Sequence, residues 1–118
     1  MKWYTSIVRK GDQMGRTIGF PTVNLNPDIL ENTIQQGIYK STVMYKNHQY
    51  NGALYFGPRL IMHETKNVLE IYILDFNKEI YGEKVIFRIG KFIRPIANFS
   101  SFEEMKKQLE KDVEMIRH

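Results

Sequence analysis

The stretch GDQMGRTIGFPTVNL, residues 11–25, concentrates residue types that suit a phosphate group. Gly11, Gly15 and Gly19 permit backbone conformations in which N–H groups approach a ligand closely, as in loops that bind phosphates. Arg16 adds a cation to the same loop. The spacing matches neither the P-loop nor the G-x-G-x-x-G pattern, so the glycines by themselves favour an irregular turn between strands.

The second half of this stretch adds a pair of oxygen ligands. Pro21 keeps Phe20 out of the helical region, which predicts an extended segment. Since residues two apart on such a segment point the same way, the Thr22 hydroxyl and the Asn24 amide are expected to project side by side. Neutral oxygens of this kind suit Mg²⁺ together with phosphate oxygens and water. Taken singly, Thr22 fits an ordinary strand residue and Asn24 an Asx turn. Directly after a phosphate loop, the pair indicates a nucleotide site.

A carboxylate interrupts an apolar segment further along the chain. Glu70 lies in VLEIYILDF, residues 68–76, which is apolar on both faces and is typical of a strand covered on both sides. A buried charge is costly unless it is paired or in use. Two interpretations stay open: an exposed position on the rim of the strand, or a general base that takes a proton from a hydroxyl nucleophile.

A mostly β architecture must position these residues. Alternating apolar residues and turn signals predict short strands, and 37–45 with 50–56 is expected to form a hairpin. A helix follows, with Ser100 and Glu103 as its capping box. We expect a small closed or nearly closed antiparallel β-barrel with a C-terminal α-helix packed on it. The predicted strands are 37–45, 50–56, 68–76 and 83–93, and the helix is marked by Phe102, Met105, Leu109, Val113 and Ile116.

Size and composition restrict the remaining possibilities. The chain has 118 residues, which suits one domain, and 42% of them are hydrophobic. The lack of cysteine fits a reducing compartment and removes thiol catalysis and thiolate metal sites. No signal peptide or bilayer-spanning run stands out, so we expect a cytoplasmic domain with no membrane partner. The net charge of +4 is scattered, which argues against a nucleic-acid partner.

In combination, these motifs resemble the riboflavin kinase family of bacteria and eukaryotes. GRTIGFPTVNL is similar to the family signature Gly-Arg-x-x-Gly-x-Pro-Thr-Ala-Asn. LEIYILDFNKEIYGEKV resembles the segment with the catalytic glutamate, and FIRPIANFSSFEEMKKQLEKD the closing strand and helix. The resemblance covers nearly the whole chain. It implies a six-stranded Greek-key barrel, a single riboflavin kinase domain over residues 1–118, that converts ATP and riboflavin to ADP and FMN with Mg²⁺.

The resemblance also implies roles for individual residues. Glu70 falls on the base that deprotonates the ribityl 5′-hydroxyl, and Thr22 and Asn24 fall on metal-binding positions. The implied nucleotide-binding residues are Gly11, Gly15, Arg16, Thr22 and Tyr81, and the implied flavin-binding residues are Arg94 and Phe99.

Departures from the family pattern leave alternatives open. Ile96 and Ala97 stand where many members have Glu and Lys, which supports a flavin- or nucleotide-binding module of the same fold without turnover. Thr22, Asn24 and Glu70 favour the kinase, because pure binding needs no base. A barrel that binds single-stranded nucleic acid is less favoured, since no basic aromatic groove is evident. Bacterial members are commonly fused to an FMN adenylyltransferase, for which this chain has no room, so we expect a stand-alone kinase or an excised domain.

Overall fold

Six antiparallel strands and a C-terminal helix form the fold within residues 2–11, 16 and 19–118, which the computed structural model describes. Short 3₁₀ turns occupy Pro27–Ile29 and Leu60–Met62. The regular elements are β1 (Trp3–Ile7), β2 (Val23–Leu25), β3 (Gly37–Tyr45), β4 (His48–Gly57), β5 (Val68–Ile73), β6 (Lys84–Arg94) and α1 (Phe102–Arg117).

The strands lie in the order β1-β6-β3-β4-β5-β2. Strands β3, β4 and β5 are consecutive neighbours, and β6 returns to lie beside β3, which is the Greek-key arrangement. Past the end of β1, the N–H of Arg9 donates to the carbonyl of Asn24 in β2 at 2.7 Å. This bridge brings the two edge strands together. The expected six-stranded Greek-key barrel with a C-terminal helix is therefore confirmed.

The barrel core follows from alternation along the strands. In β5 every second residue, Leu69, Ile71 and Ile73, is buried in the interior. The strand ends at Ile73 and not at residue 76, because Asp75 adopts a φ of 58° and turns the chain. The predicted extent of this strand was therefore wrong at its C-terminal end. Its other face, with Val68, Glu70 and Tyr72, is only partly buried, so the strand is fully covered on one side alone.

Helix α1 begins one residue later than the predicted capping box implies. Ser101, and not Ser100, is the N-cap, and its hydroxyl accepts the N–H of Glu104 at 3.2 Å. The side chain of Glu104 in turn accepts the N–H of Ser100 at 3.4 Å. The pairing of Ser100 with Glu103 was wrong because two adjacent serines each precede a glutamate by three residues. Which of the two serines caps the helix depends on the direction from which the chain enters it.

The helix packs against β4 and buries Met105, Asp112 and Ile116. In the part of the chain that the structure describes, no helix has both the length and the apolar character needed to cross a bilayer.

Candidate active site

One row of side chains crosses the outer face of the sheet. Asn24 is paired with Glu70, Glu70 with Tyr55, Tyr55 with Ile38, and Ile38 with Arg94. Directly opposed residues share a face, with Cβ atoms about 5 Å apart. The row therefore brings residues from five strands into line, with Glu70 between Asn24 and Tyr55. The sequence had singled out three of them, Asn24, Glu70 and Arg94, without their order.

A cavity lies between this row and helix α1. It is a cleft with about 840 Å³ of space between its walls, much of which is open to solvent. Glu70 and Tyr72 contribute to its sheet wall, and Leu109 and Val113 to its helix wall. Its other walls include Phe20, Thr22, Arg94, Ala97 and Phe99. The apolar and aromatic lining suits a planar ring.

Glu70 is largely buried and takes part in an ion pair. Its side chain is 12% exposed, and Nη1 of Arg59 lies 3.5 Å from its Oε1. Arg59 follows β4 directly and also donates from Nε and Nη2 to the two carboxylate oxygens of Glu64, at 3.0 and 3.3 Å. The interpretation of Glu70 as an exposed rim residue is therefore wrong, because the connection after β4 places a cation over it. Its role as a general base stays a prediction.

Tyr55 provides a fixed neighbour for Glu70. Its hydroxyl donates to the carbonyl of Pro58. Burial, with a further contribution from the charge of Glu70, raises the pKa of Tyr55 to about 12. The phenol is thus a hydrogen-bond donor, and Glu70 is the one acidic side chain among the five residues of the row.

Gly11 packs directly on the side chain of Asn24. A Cβ atom at Gly11 would overlap the Asn24 amide, so glycine is required here by close approach. Both residues line a second cavity, together with Arg9, Lys10 and Arg59. Arg9 and Lys10 favour an anionic ligand here, whereas the charge of Arg59 is already balanced by Glu64 and Glu70. Since Arg59 lines both cavities, the two adjoin.

Arg16 and Tyr81 are brought together elsewhere in the described structure and line neither cavity. Nη1 of Arg16 donates to Oε1 of Glu79 at 2.6 Å. This hydrogen bond is the main reason that the pKa of Arg16 is raised, and Tyr81 makes a smaller electrostatic contribution. Their predicted contacts with a nucleotide stay predictions. Gly15, also predicted to bind the nucleotide, lies outside the residues that the structure describes.

Arg94, at the end of the row, is bound to the helix. Its Nε and Nη2 donate to the carboxylate oxygens of Asp112 at distances of 2.8 to 3.1 Å, and Nη1 donates to the carbonyl of Pro95 at 3.1 Å. The ring of Phe99 lies near the guanidinium, with its centroid 5.9 Å from the Cζ atom. The two residues predicted to contact a flavin, Arg94 and Phe99, thus lie at the same cavity.

Comparison with known sequences settles the family. The sequence profile of the Flavokinase family, riboflavin kinase, matches residues 3–118. The chain belongs to the riboflavin kinase family. A curated relative, the bifunctional riboflavin kinase/FMN adenylyltransferase of Haemophilus influenzae, is 38% identical over 105 residues, which cover 88% of this chain and 34% of that protein. This chain, a member of the riboflavin kinase family, thus spans about a third of the length of this relative.

Two solved structures resemble this riboflavin kinase family chain. A chain from Streptococcus pneumoniae named as a macrolide-efflux protein superposes with a TM-score of 0.83 at 31% identity, covering 98% of this chain and 38% of that one. The riboflavin kinase of Trypanosoma brucei superposes with a TM-score of 0.63 at 21% identity, covering 98% of this chain and 76% of that one. The second likeness concerns the fold alone.

Sequence reasoning missed two ionic residues of this riboflavin kinase family site. Asp112 carried a usable signal, because positions 105, 109, 112 and 116 form one helical stripe and an acid on that stripe faces the sheet. Arg59 carried no signal in the periodicity of the sequence, since it lies in the irregular connection between β4 and β5. Only the fold brings its guanidinium to Glu70.

Proposed function

We propose that this riboflavin kinase domain transfers the γ-phosphoryl group of ATP to the 5′-hydroxyl of riboflavin and releases ADP and FMN. The observation that carries the proposal is the place of Glu70, a largely buried carboxylate that lines one cavity and is paired with Arg59 and Asn24, which line a second. One cavity is apolar and suits the flavin ring, and the other is lined by cations and Gly11 and suits phosphates. A base in the wall of the apolar cavity, beside these two residues, would reach the hydroxyl of a flavin whose phosphoryl donor occupies the second cavity.

Glu70 supplies the proton acceptor. As the 5′-oxygen forms its bond to the γ-phosphorus, the bond between that phosphorus and the ADP oxygen breaks, and the hydroxyl proton passes to the Glu70 carboxylate. The ion pair with Arg59 and the neighbouring Tyr55 restrict the position of this carboxylate. In-line displacement needs little more than positioning and charge neutralisation, which this arrangement supplies.

The residues around Asn24 fit a divalent cation bound with phosphate. Gly11 packs directly against the Asn24 amide, and Thr22 lies two residues before Asn24 on the same extended segment, with Thr22 at the apolar cavity and Asn24 at the second. Within the described residues, no group of three or more His, Asp or Glu side chains could hold a metal. Thr22 and Asn24 would therefore hold Mg²⁺ only together with phosphate oxygens. When bound, the ion supplies neutralisation of phosphate charge.

The remaining residues divide between the two substrates. Arg9 and Lys10 lie at the phosphate cavity, and we assign Arg16 and Tyr81 to the nucleotide as the family resemblance implies. The flavin ring is assigned to the apolar cavity, where Phe99 lies in the wall. We place the reaction in the cytoplasm, where ATP is available.

Formation of FMN tests this function directly. Purified protein is incubated with riboflavin, ATP and Mg²⁺, and the products are separated by chromatography with fluorescence detection. We expect FMN that depends on both substrates and grows with enzyme concentration. Binding of riboflavin and ATP without any FMN would instead support the non-catalytic module, and failure to bind riboflavin would remove the flavin site.

A further inference from the structure

Two arginine–aspartate pairs join helix α1 to the barrel at very different depths. Arg94 of β6 binds Asp112, whose side chain is 1% exposed. Further along, at the C-terminal end of the helix, Arg117 binds Asp75, whose side chain is 75% exposed, at 3.3 Å. A buried, forked pair fixes geometry strongly, whereas an exposed pair is screened by water and contributes little. Of the two ion pairs, that of Asp112 therefore contributes more to the position of the helix.

Asp112 is fully engaged by the protein. Besides the fork of Arg94, it accepts a hydrogen bond from Nε2 of Gln108 at 3.0 Å. Its neighbours on the same helix, Leu109 and Val113, line the apolar cavity. Any movement that separates Asp112 from the sheet also moves these two side chains. The ion pair thus sets the width of the cavity.

The guanidinium of Arg94 is likewise engaged in its ion pair with Asp112. Its Nε and Nη2 are directed at Asp112, and its Nη1 at the carbonyl of Pro95. Three guanidinium nitrogens are therefore engaged by the protein while Arg94 lines the cavity. The side chain of Arg94 therefore links the sheet to helix α1.

We propose that Asp112 is a positioning residue for the flavin: by holding Arg94, it fixes helix α1 as the apolar wall against which the flavin ring packs. The inference rests on the proposed assignment of the apolar cavity to riboflavin. In this inference, Arg94 affects riboflavin binding by holding helix α1 and not by direct contact with the flavin.

Riboflavin affinity, measured by flavin fluorescence in the absence of ATP, tests the inference without any need for turnover. Asp112→Asn keeps the shape of the side chain but breaks the ion pair, and we expect the Kd for riboflavin to rise at least about tenfold, because displacement of a wall by about 1 Å is enough. The Kd for ATP should change less than about twofold. Asp75→Asn, which breaks the exposed pair of the same helix, is the matched control and should leave both affinities unchanged. Wild-type riboflavin affinity in folded Asp112→Asn would overturn the inference.

A double variant separates positioning from direct contact. Arg94→Met should weaken riboflavin binding as Asp112→Asn does, whereas Arg94→Met with Asp112→Leu replaces the buried pair by an apolar one and should restore affinity. A double variant as weak as Arg94→Met would mean that Arg94 contacts the flavin itself, and the inference would fail.

Amide hydrogen exchange on the wild-type protein needs no folded variant. Saturating riboflavin should slow exchange in helix α1 between Met105 and Val113, and unchanged exchange there would contradict a helical wall. These measurements are independent of the proposed reaction, because each of them can be made on a protein that binds riboflavin but forms no FMN.

Discussion

At the scale of single residues, the decisive feature is the surroundings of Glu70. Asn24 and Tyr55 flank it along the row, and Arg59 lies across it with an exposed fraction of only 13%. The cation compensates for the removal of the carboxylate from water. A paired carboxylate beside a small-molecule cavity is typical of a functional site, although ion pairs of this kind also occur for structural reasons.

Replacement of Glu70 by glutamine separates these two possibilities. The amide keeps the shape of the side chain but cannot take the hydroxyl proton, so turnover should fall by on the order of 10²- to 10⁴-fold. The affinities for riboflavin and ATP should change little, because the base matters most as the proton is lost. Steady-state kinetics and ligand titrations of Glu70→Gln measure both effects.

Glu64→Gln is the matched control for this variant. Glu64 shares Arg59 with Glu70 but is more exposed and lies off the row. Its replacement should alter turnover by no more than about twofold. Wild-type turnover in Glu70→Gln, with normal binding, would remove Glu70 from the mechanism.

At the scale of elements, the phosphate side of the site depends on how the segment after β1 meets β2. Strand β2 has only three residues, and its register is secured by pairing with β5 and by the bridge from Arg9 to Asn24. Gly11 lies two residues after Arg9 and packs on the Asn24 side chain. The orientation of the Asn24 amide is thus set by a backbone contact.

Gly11→Ala should disturb this contact. The added methyl group overlaps the Asn24 amide and displaces it, so the affinity for ATP with Mg²⁺ should fall at least about tenfold and the free energy of unfolding by about 1–3 kcal/mol. Riboflavin affinity should stay close to that of the wild type. Calorimetry and denaturant titration provide the two measurements.

A second substitution distinguishes the two effects of Gly11→Ala. Adding Asn24→Ala removes the overlap, so stability should return toward the wild-type value while the affinity for ATP stays low. Recovery of both quantities would show that Asn24 takes no part in nucleotide binding.

At the scale of the whole molecule, the two cavities belong to different parts of the barrel. The apolar cavity is closed by helix α1, and the phosphate cavity by the segment before β2 and the connection before β5. Arg59 lines both. The two substrates should therefore bind through largely separate groups and meet at Glu70.

This separation predicts different responses to removal of divalent cations. Thr22 and Asn24 offer only neutral oxygens, so ATP should bind tightly with Mg²⁺ and much more weakly in EDTA. Riboflavin contacts no cation in the proposed site, and its affinity should be the same in both buffers. Calorimetry under the two conditions decides the matter, and equal ATP affinity in EDTA would contradict the metal assignment.

Local sequence patterns were sufficient to predict much of the fold. The alternation in 37–45 and 83–93 and the helical spacing after residue 101 correspond to β3, β6 and α1 within a residue or two. Strand β1 was not predicted because its apolar residues fall on both faces: Tyr4 is buried beside Ser6, while Trp3 and Ile7 are exposed. The end of β5 and the N-cap of α1 were misplaced because they depend on single turn residues and on the direction from which the chain enters.

The sequence by itself determined the family motifs, the barrel class and the residue types available for chemistry, because each is encoded in short-range spacing. Only the tertiary structure decided that Asn24, Glu70, Tyr55, Ile38 and Arg94 form one row, that Arg59 pairs with Glu70 and that Asp112 binds Arg94. Spacing along the chain shows which face of a strand or helix a side chain occupies. Which faces meet depends on the register between strands distant in sequence and on the packing of α1, and neither is written in any local pattern.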